Sequence, residues 1–214
     1  MKELIDVAFN NNVKKIKKVS FSKTIDVQFG VYTEGGYKEW LTINLKPSHG
    51  WLDWIINLFA GRKDTGNGKV HKGYYAELML LWAKFWSVII NDKDLVNATT
   101  NGILVAGRSK GAAEALLIAM QLWQPMYHNR IRVLAIDPPM VCNRQYAEYA
   151  ESLLGKDNIH WTSYKNDIVT GIPPWFTFAG TKHQIGDRGL GLSFKDHREA
   201  TTNSEVIYKG LGCV

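Results

Sequence analysis

Two runs rich in β-branched and aromatic residues, Ile25 to Tyr32 and Trp40 to Leu45, flank Gly35-Gly36. That pattern predicts a β-hairpin and an antiparallel start to a sheet. An apolar, tryptophan-rich stretch, Gly50 to Ala60, precedes a glycine-rich charged loop from Gly61 to Lys69. Apolar residues at helical spacing then predict a long amphipathic helix from about Tyr74 to Asn91. After Asn101-Gly102 the pattern changes period. Ile103 to Ala106 is wholly apolar, as expected of a strand covered on both faces, and Ala112 to Trp123 returns to helical spacing. The alternation continues with a strand at Ile131 to Ile136, a helix at Gln145 to Leu154, a strand at Ile159 to Tyr164 and a last short strand at Trp175 to Ala179. Strands alternating with helices predict an α/β fold: a mainly parallel central sheet with an antiparallel N-terminal hairpin and helices on both faces. Sites in such folds form at the carboxyl ends of the strands.

Composition narrows the class. With 214 residues, 45% of them hydrophobic, the chain is long enough to close one sizeable core, so residues 1–214 are expected to form one domain. No repeat or low-complexity tract interrupts it. Cys142 and Cys213 are far apart and outside any CxxC spacing, which argues against a zinc site or a disulfide scaffold. The first residues lack the apolar stretch and cleavage site of a signal peptide, and Leu78 to Ile90 is too short to span a bilayer. The expectation is a soluble cytoplasmic monomer, released, if at all, by lysis or a non-classical route. The net charge of +6 favours anionic surfaces without choosing among them. Its densest run, Val13-Lys14-Lys15-Ile16-Lys17-Lys18-Val19, has apolar residues every third position, so one face is expected to pack while four lysines stay in water. The same run leaves room for a binding module that docks on membrane or nucleic acid.

The chemistry concentrates at the first strand-to-helix junction. Gly107-Arg108-Ser109-Lys110-Gly111 is an instance of GxSxG. A nucleophile elbow needs a serine on a strained turn after a buried strand and before a helix, with glycines where a Cβ would clash, and this setting meets those conditions. The helix N-terminus offers the Lys110 N–H to an oxyanion. A glycine-flanked turn with a capping serine is the plainer alternative. A nucleophilic serine needs a base and an orienting acid, which in α/β-hydrolases follow in the order Ser, Asp or Glu, His. Asp167, directly after the strand ending at Tyr164, and His197 fit that order. His183 competes for the role of base and Asp137, at the end of the preceding strand, for that of acid. The triad geometry favours His197 and Asp167.

At this level of detail the chain resembles a class 3 lipase of the fungal lipase-like group. Ser48-His49-Gly50-Trp51-Leu52-Asp53-Trp54-Ile55-Ile56-Asn57-Leu58 and Lys69-Val70-His71-Lys72-Gly73-Tyr74 are similar to the family's oxyanion loop, DW helix and VHxGF signature. Ile136 to Val141 stands where the family has a strand and PRVG turn. Asp167-Ile168-Val169 with Pro173-Pro174 matches DxVxxxPP, and His183-Gln184-Ile185-Gly186 resembles the HxG element. The match runs from about residue 40 to 200.

The resemblance implies an α/β-hydrolase that cleaves lipid carboxylic esters through Ser109, Asp167 and His197, with neither metal nor organic cofactor. It assigns Ser48 and the Lys110 N–H to the oxyanion hole, and gives His71 and His183 structural places. The helix at about 50–60, with Trp51, Trp54, Ile55 and Leu58, matches a lid; a fixed helix packed on the core is the alternative. Two departures bear on substrate choice. The family's FRGT appears as Leu45-Lys46-Pro47-Ser48, where Pro47 stiffens the loop. GHSLGGA has become Gly107-Arg108-Ser109-Lys110-Gly111-Ala112-Ala113, so that Arg108 and Lys110 either face solvent or attract an anionic substrate. The partners expected are therefore a lipid or small ester and, transiently, an anionic lipid surface. Nucleic acid is not expected. A phospholipase A1-type activity and a non-catalytic binding module are the rival readings.

Overall fold

The computed structural model describes residues 1–20, 26–46, 61–127 and 129–213. Nine strands are defined among them: β1 (Val13–Ser20), β2 (Asp26–Tyr32), β3 (Leu41–Lys46), β4 (Arg62–Asp64), β5 (Lys69–His71), β6 (Ile103–Arg108), β7 (Ile131–Ile136), β8 (Ile159–Tyr164) and β9 (Thr181–Ile185). The helices, numbered in chain order, are α1 (Lys2–Phe9), α2 (Lys72–Ile90), α3 (Lys93–Asn101), α4 (Lys110–Leu122), α5 (Arg144–Leu154), α6 (Phe194–Thr202) and α7 (Ser204–Gly210). Seven of the strands form the central sheet, in the order β1-β2-β3-β6-β7-β8-β9, and β4-β5 is a separate ribbon. β1, β2 and β3 are antiparallel, whereas β3, β6, β7, β8 and β9 run parallel. The parallel strands all end at one edge, which carries the site.

β6 shows why the centre of the sheet reads as continuously apolar. Ile103 and Val105 point into the larger core with α2, α3, α4 and α5, while Leu104 and Ala106 point into the smaller one with α1, α6 and α7. All four are fully buried. Helices cover both faces, so the period-two alternation sorts side chains between two cores instead of between core and water.

The structure adds to the expected pattern and changes it in one place. The lysine-rich run at 13–19, expected to pack one face and leave its lysines in water, is strand β1 at the sheet edge. Its register is set by β2, with Lys17 opposite Phe29 and Val19 opposite Val27. Exposed Lys14, Lys17 and Lys18 there discourage pairing of the edge with another chain. The last strand is Thr181–Ile185, not Trp175 to Ala179, which holds only an isolated bridge from Thr177 to Cys142. Helix α1, which the hydrophobic pattern had not suggested, buries Leu4, Ile5, Val7 and Ala8 against the sheet.

Candidate active site

Ser109 stands between β6 and α4 with φ 55° and ψ −127°, a conformation that costs a non-glycine residue energy and is retained only where its surroundings fix it. Its own N–H donates to the Ile136 carbonyl at 2.9 Å, and its carbonyl accepts from Ala112 N at the same distance. The flanking glycines are dictated by space. A Cβ on Gly107 would lie 2.2 Å from the Gly111 carbonyl oxygen, and one on Gly111 would lie 2.6 Å from the Leu45 carbonyl oxygen. No side chain fits at either place, so helix and strand close tightly around the serine.

The Ser109 Oγ is 2.8 Å from His197 Nε2, and His197 Nδ1 is 2.6 Å from Asp167 Oδ2. All three residues are buried. The Val169 N–H donates to the other Asp167 oxygen at 2.7 Å, which fixes the carboxylate plane. Burial holds the His197 imidazole below the ordinary histidine range, so that it rests neutral with a lone pair for the serine proton. Burial also pushes the Asp167 carboxyl up, opposed by the nearby Asp137 carboxyl and the hydrogen bond from the Val169 N–H. A neutral base between a hydroxyl and an oriented carboxyl group can generate a nucleophilic alkoxide.

Local contacts explain how a histidine thirty residues after its acid arrives beside it. The Ser193 side chain caps α6 by accepting from Asp196 N at 3.1 Å. Ser193 N donates to the Asn166 carbonyl at 2.8 Å, and Asn166 N donates to Asp196 Oδ2 at 3.2 Å. The first turn of α6 is thus stitched to the loop that carries Asp167. The S-x-x-D spacing at Ser193 was a legible helix-start signal for this joint.

His183 does not enter this chain of contacts. It sits on β9, with its Nε2 3.1 Å from His160 Nδ1. His71 caps α2, accepting from Tyr74 N at 3.3 Å, and is fully buried. Asp137 does approach the group: one ligand atom each from Asp137, Asp167 and His197 lie within 4.8 Å of one another. Among the described residues this is the one His, Cys, Asp and Glu cluster compact enough to share an ion. Its His197 Nδ1 and Asp167 Oδ2 are already committed to each other. Ser48 and the lid residues Trp51, Trp54, Ile55 and Leu58 lie outside the described residues.

The cations beside the serine correct both readings offered for them. The Lys110 side chain is buried and points inward, with Nζ 2.6 Å from Glu77 Oε2 and 3.3 Å from Glu114 Oε1. Arg108 is half-buried, stacks 4.8 Å over the Phe9 ring and donates from Nη1 to the Thr201 carbonyl at 2.8 Å. Thr201 in turn donates to the His197 carbonyl at 2.8 Å. Arg108 therefore braces the nucleophile turn against the helix of the base.

Burial pushes the Glu114 carboxyl up to about 8 despite the attraction of Lys110. Its folded pKa thus exceeds the unfolded value of roughly 4.3. The folded chain keeps the proton while the unfolded chain loses it, so stability from this group is full below about pH 4 and falls as pH rises towards 8. Glu114→Gln should remove that penalty. We expect it to raise the unfolding free energy by about 1–3 kcal/mol at pH 8 and by much less at pH 5. Urea unfolding at the two pH values measures this, and equal effects at both would contradict it.

The sequence profile of the Lipase (class 3) family matches residues 42–177. A lipase of Rhizopus niveus is 28% identical over 123 residues, covering 56% of this chain and 30% of that protein. The chain therefore spans about a third of the length of the curated relatives it matches. The solved lipase II of Rhizopus niveus superposes with a TM-score of 0.67 at 21% identity, over 81% of this chain and 66% of that one. The structure of a triacylglycerol lipase in which a serine protease triad forms the catalytic centre superposes with a TM-score of 0.70 at 21% identity. That superposition covers 92% of this chain and 80% of the other.

Proposed function

Since the chain belongs to the class 3 lipase family and has the α/β-hydrolase fold, we propose that it hydrolyses carboxylic esters of lipids through Ser109, His197 and Asp167. The observation that carries the reading is the unbroken hydrogen-bonded chain from Ser109 Oγ through His197 to Asp167 at a strained strand-to-helix turn. His197 Nε2 takes the Ser109 proton as Oγ attacks the ester carbonyl. The tetrahedral oxyanion is met by the Lys110 N–H at the start of α4, and Ser48 is assigned to the same hole by family resemblance. His197 then gives its proton to the departing alcohol, leaving an acyl ester on Ser109. Water, deprotonated by the same imidazole, releases the acid and restores the serine. Asp167 holds the tautomer and balances the imidazolium charge throughout.

The surface beside the base supports a lipid aggregate as the form in which substrate is met. Leu190 is fully exposed and Leu192 largely so in the segment leading into α6, and Phe194 at its first position is partly exposed. Exposed Arg188 precedes them, and exposed Lys195 and Arg198 follow. Apolar side chains rimmed by cations suit insertion into an anionic bilayer surface. The test uses emulsified triacylglycerol, phosphatidylglycerol vesicles and a soluble p-nitrophenyl ester. Leu190→Asn with Leu192→Asn should weaken vesicle co-sedimentation and emulsion hydrolysis by roughly tenfold while soluble-ester turnover changes less than about twofold. Unchanged vesicle binding would remove the docking role, and failure of the wild type to cleave any of the three would remove the hydrolase reading.

A further inference from the structure

One buried carboxyl beside the triad has no part in the chemistry just described. Asp137 directly follows β7 with φ 47° and is fully buried. Two groups of β8 hold its carboxyl: the Thr162 hydroxyl donates to Oδ1 at 2.5 Å and Tyr164 N donates to Oδ2 at 3.1 Å. The Asp137 N–H is itself accepted by Thr162 Oγ1 at 3.0 Å. The parallel register of β7 and β8 carries this carboxyl to the loop after β8, where one of its oxygens lies within 4.8 Å of an Asp167 oxygen.

Two buried carboxyl groups this close cannot both be charged without strong repulsion, and neither carboxylate is a donor, so one of them keeps a proton. The groups acting on Asp137 are Asp167 from the loop after β8, His197 from α6 and, more weakly, Lys182 from β9. Asp167 is the member that faces the imidazole and so gains most from being charged when His197 takes the serine proton. Burial and the Asp167 charge both drive Asp137 towards its neutral form.

We infer that Asp137 is a positioning residue of the site: it carries the shared proton and donates its O–H to Asp167, keeping the negative charge on the carboxylate that orients His197. Asp167 is then held by the Val169 N–H, the Asp137 O–H and the His197 Nδ1–H. The imidazole tautomer follows, with the Nε2 lone pair turned to Ser109. This rests on the triad reading for its effect on rate, but not for the position of the proton.

The test therefore has two arms. Infrared difference spectra of the folded protein at neutral pH, wild type minus Asp137→Asn, should contain the C=O stretch of one protonated carboxyl, with or without catalytic activity. Glu114 contributes to both proteins and cancels. A difference showing only a lost carboxylate band would overturn the inference. In the kinetic arm, Asp137→Asn retains a neutral N–H donor and should stay within about threefold of the wild type in kcat. Asp137→Ala should lose about tenfold to a hundredfold and move the acid limb of kcat/KM to higher pH, because Asp167 loses a donor that favours its ionised form. If Asp137→Ala leaves both rate and limb unchanged while the protein hydrolyses esters, the inference fails and the hydrolase reading stands. If no ester is cleaved but the protonated band is present, the reverse holds.

Discussion

Replacing His197 with alanine is expected to lower kcat for a soluble p-nitrophenyl ester by roughly 10⁴–10⁶-fold, and replacing Ser109 to cost as much. The double variant should be no worse than either single one. Serine and base act as a unit: without the base at 2.8 Å the hydroxyl is a poor nucleophile, and without the hydroxyl the base has no proton to take. What survives is the contribution of binding and of the oxyanion donors. The competing histidine supplies the control. His183 faces His160 across β8 and β9, so His183→Ala should change kcat by less than about twofold. A His183 variant as damaged as the His197 variant would move the base to the wrong place in this account.

Gly107→Ala is the second large effect, and it arises from backbone contact. The added methyl would meet the Gly111 carbonyl oxygen at 2.2 Å, the Gly111 carbonyl carbon at 2.4 Å and Ala112 N at 2.7 Å. None of these is the free end of a side chain, so β6 and α4 must separate. The cost should be about 3 kcal/mol or more in unfolding free energy. Activity should fall roughly a hundredfold even where the variant folds, since a shift on the order of 1 Å takes the serine out of reach of His197. Gly36→Ala, with nothing within 4 Å of the added carbon, should stay within about 0.5 kcal/mol of the wild type. Denaturant unfolding and steady-state kinetics on the pair decide the point.

These expectations show which parts of the structure were legible in the sequence. The elbow was, because steric exclusion at Gly107 and Gly111 leaves a fixed residue pattern whatever surrounds it. The parallel core was, because strands covered on both faces must be apolar at every position. β9 was not: at the sheet edge Thr181 and His183 are half-buried and Lys182 and Gln184 exposed, all of them polar, so no apolar alternation marks it, whereas the buried aromatics Phe176 and Phe178 imitate a strand. Val13 to Val19 was legible only as a run with solvated lysines, since apolar residues every third position name no strand, and pairing with β2 settles it as an edge strand. The inward turn of Lys110 was half legible, since Glu114 lies one helical turn on, but Glu77 comes from α2 and its approach is tertiary. The contact of Asp137 with Asp167 depends wholly on the register of β7 and β8, which no local pattern encodes.

The most direct measurement of the central claim is labelling of the intact chain with a fluorophosphonate, followed by peptide mapping of the adduct. One phosphonate per chain is expected, on Ser109, and none in Ser109→Ala. An adduct on another residue, or labelling that persists undiminished in Ser109→Ala, would contradict it.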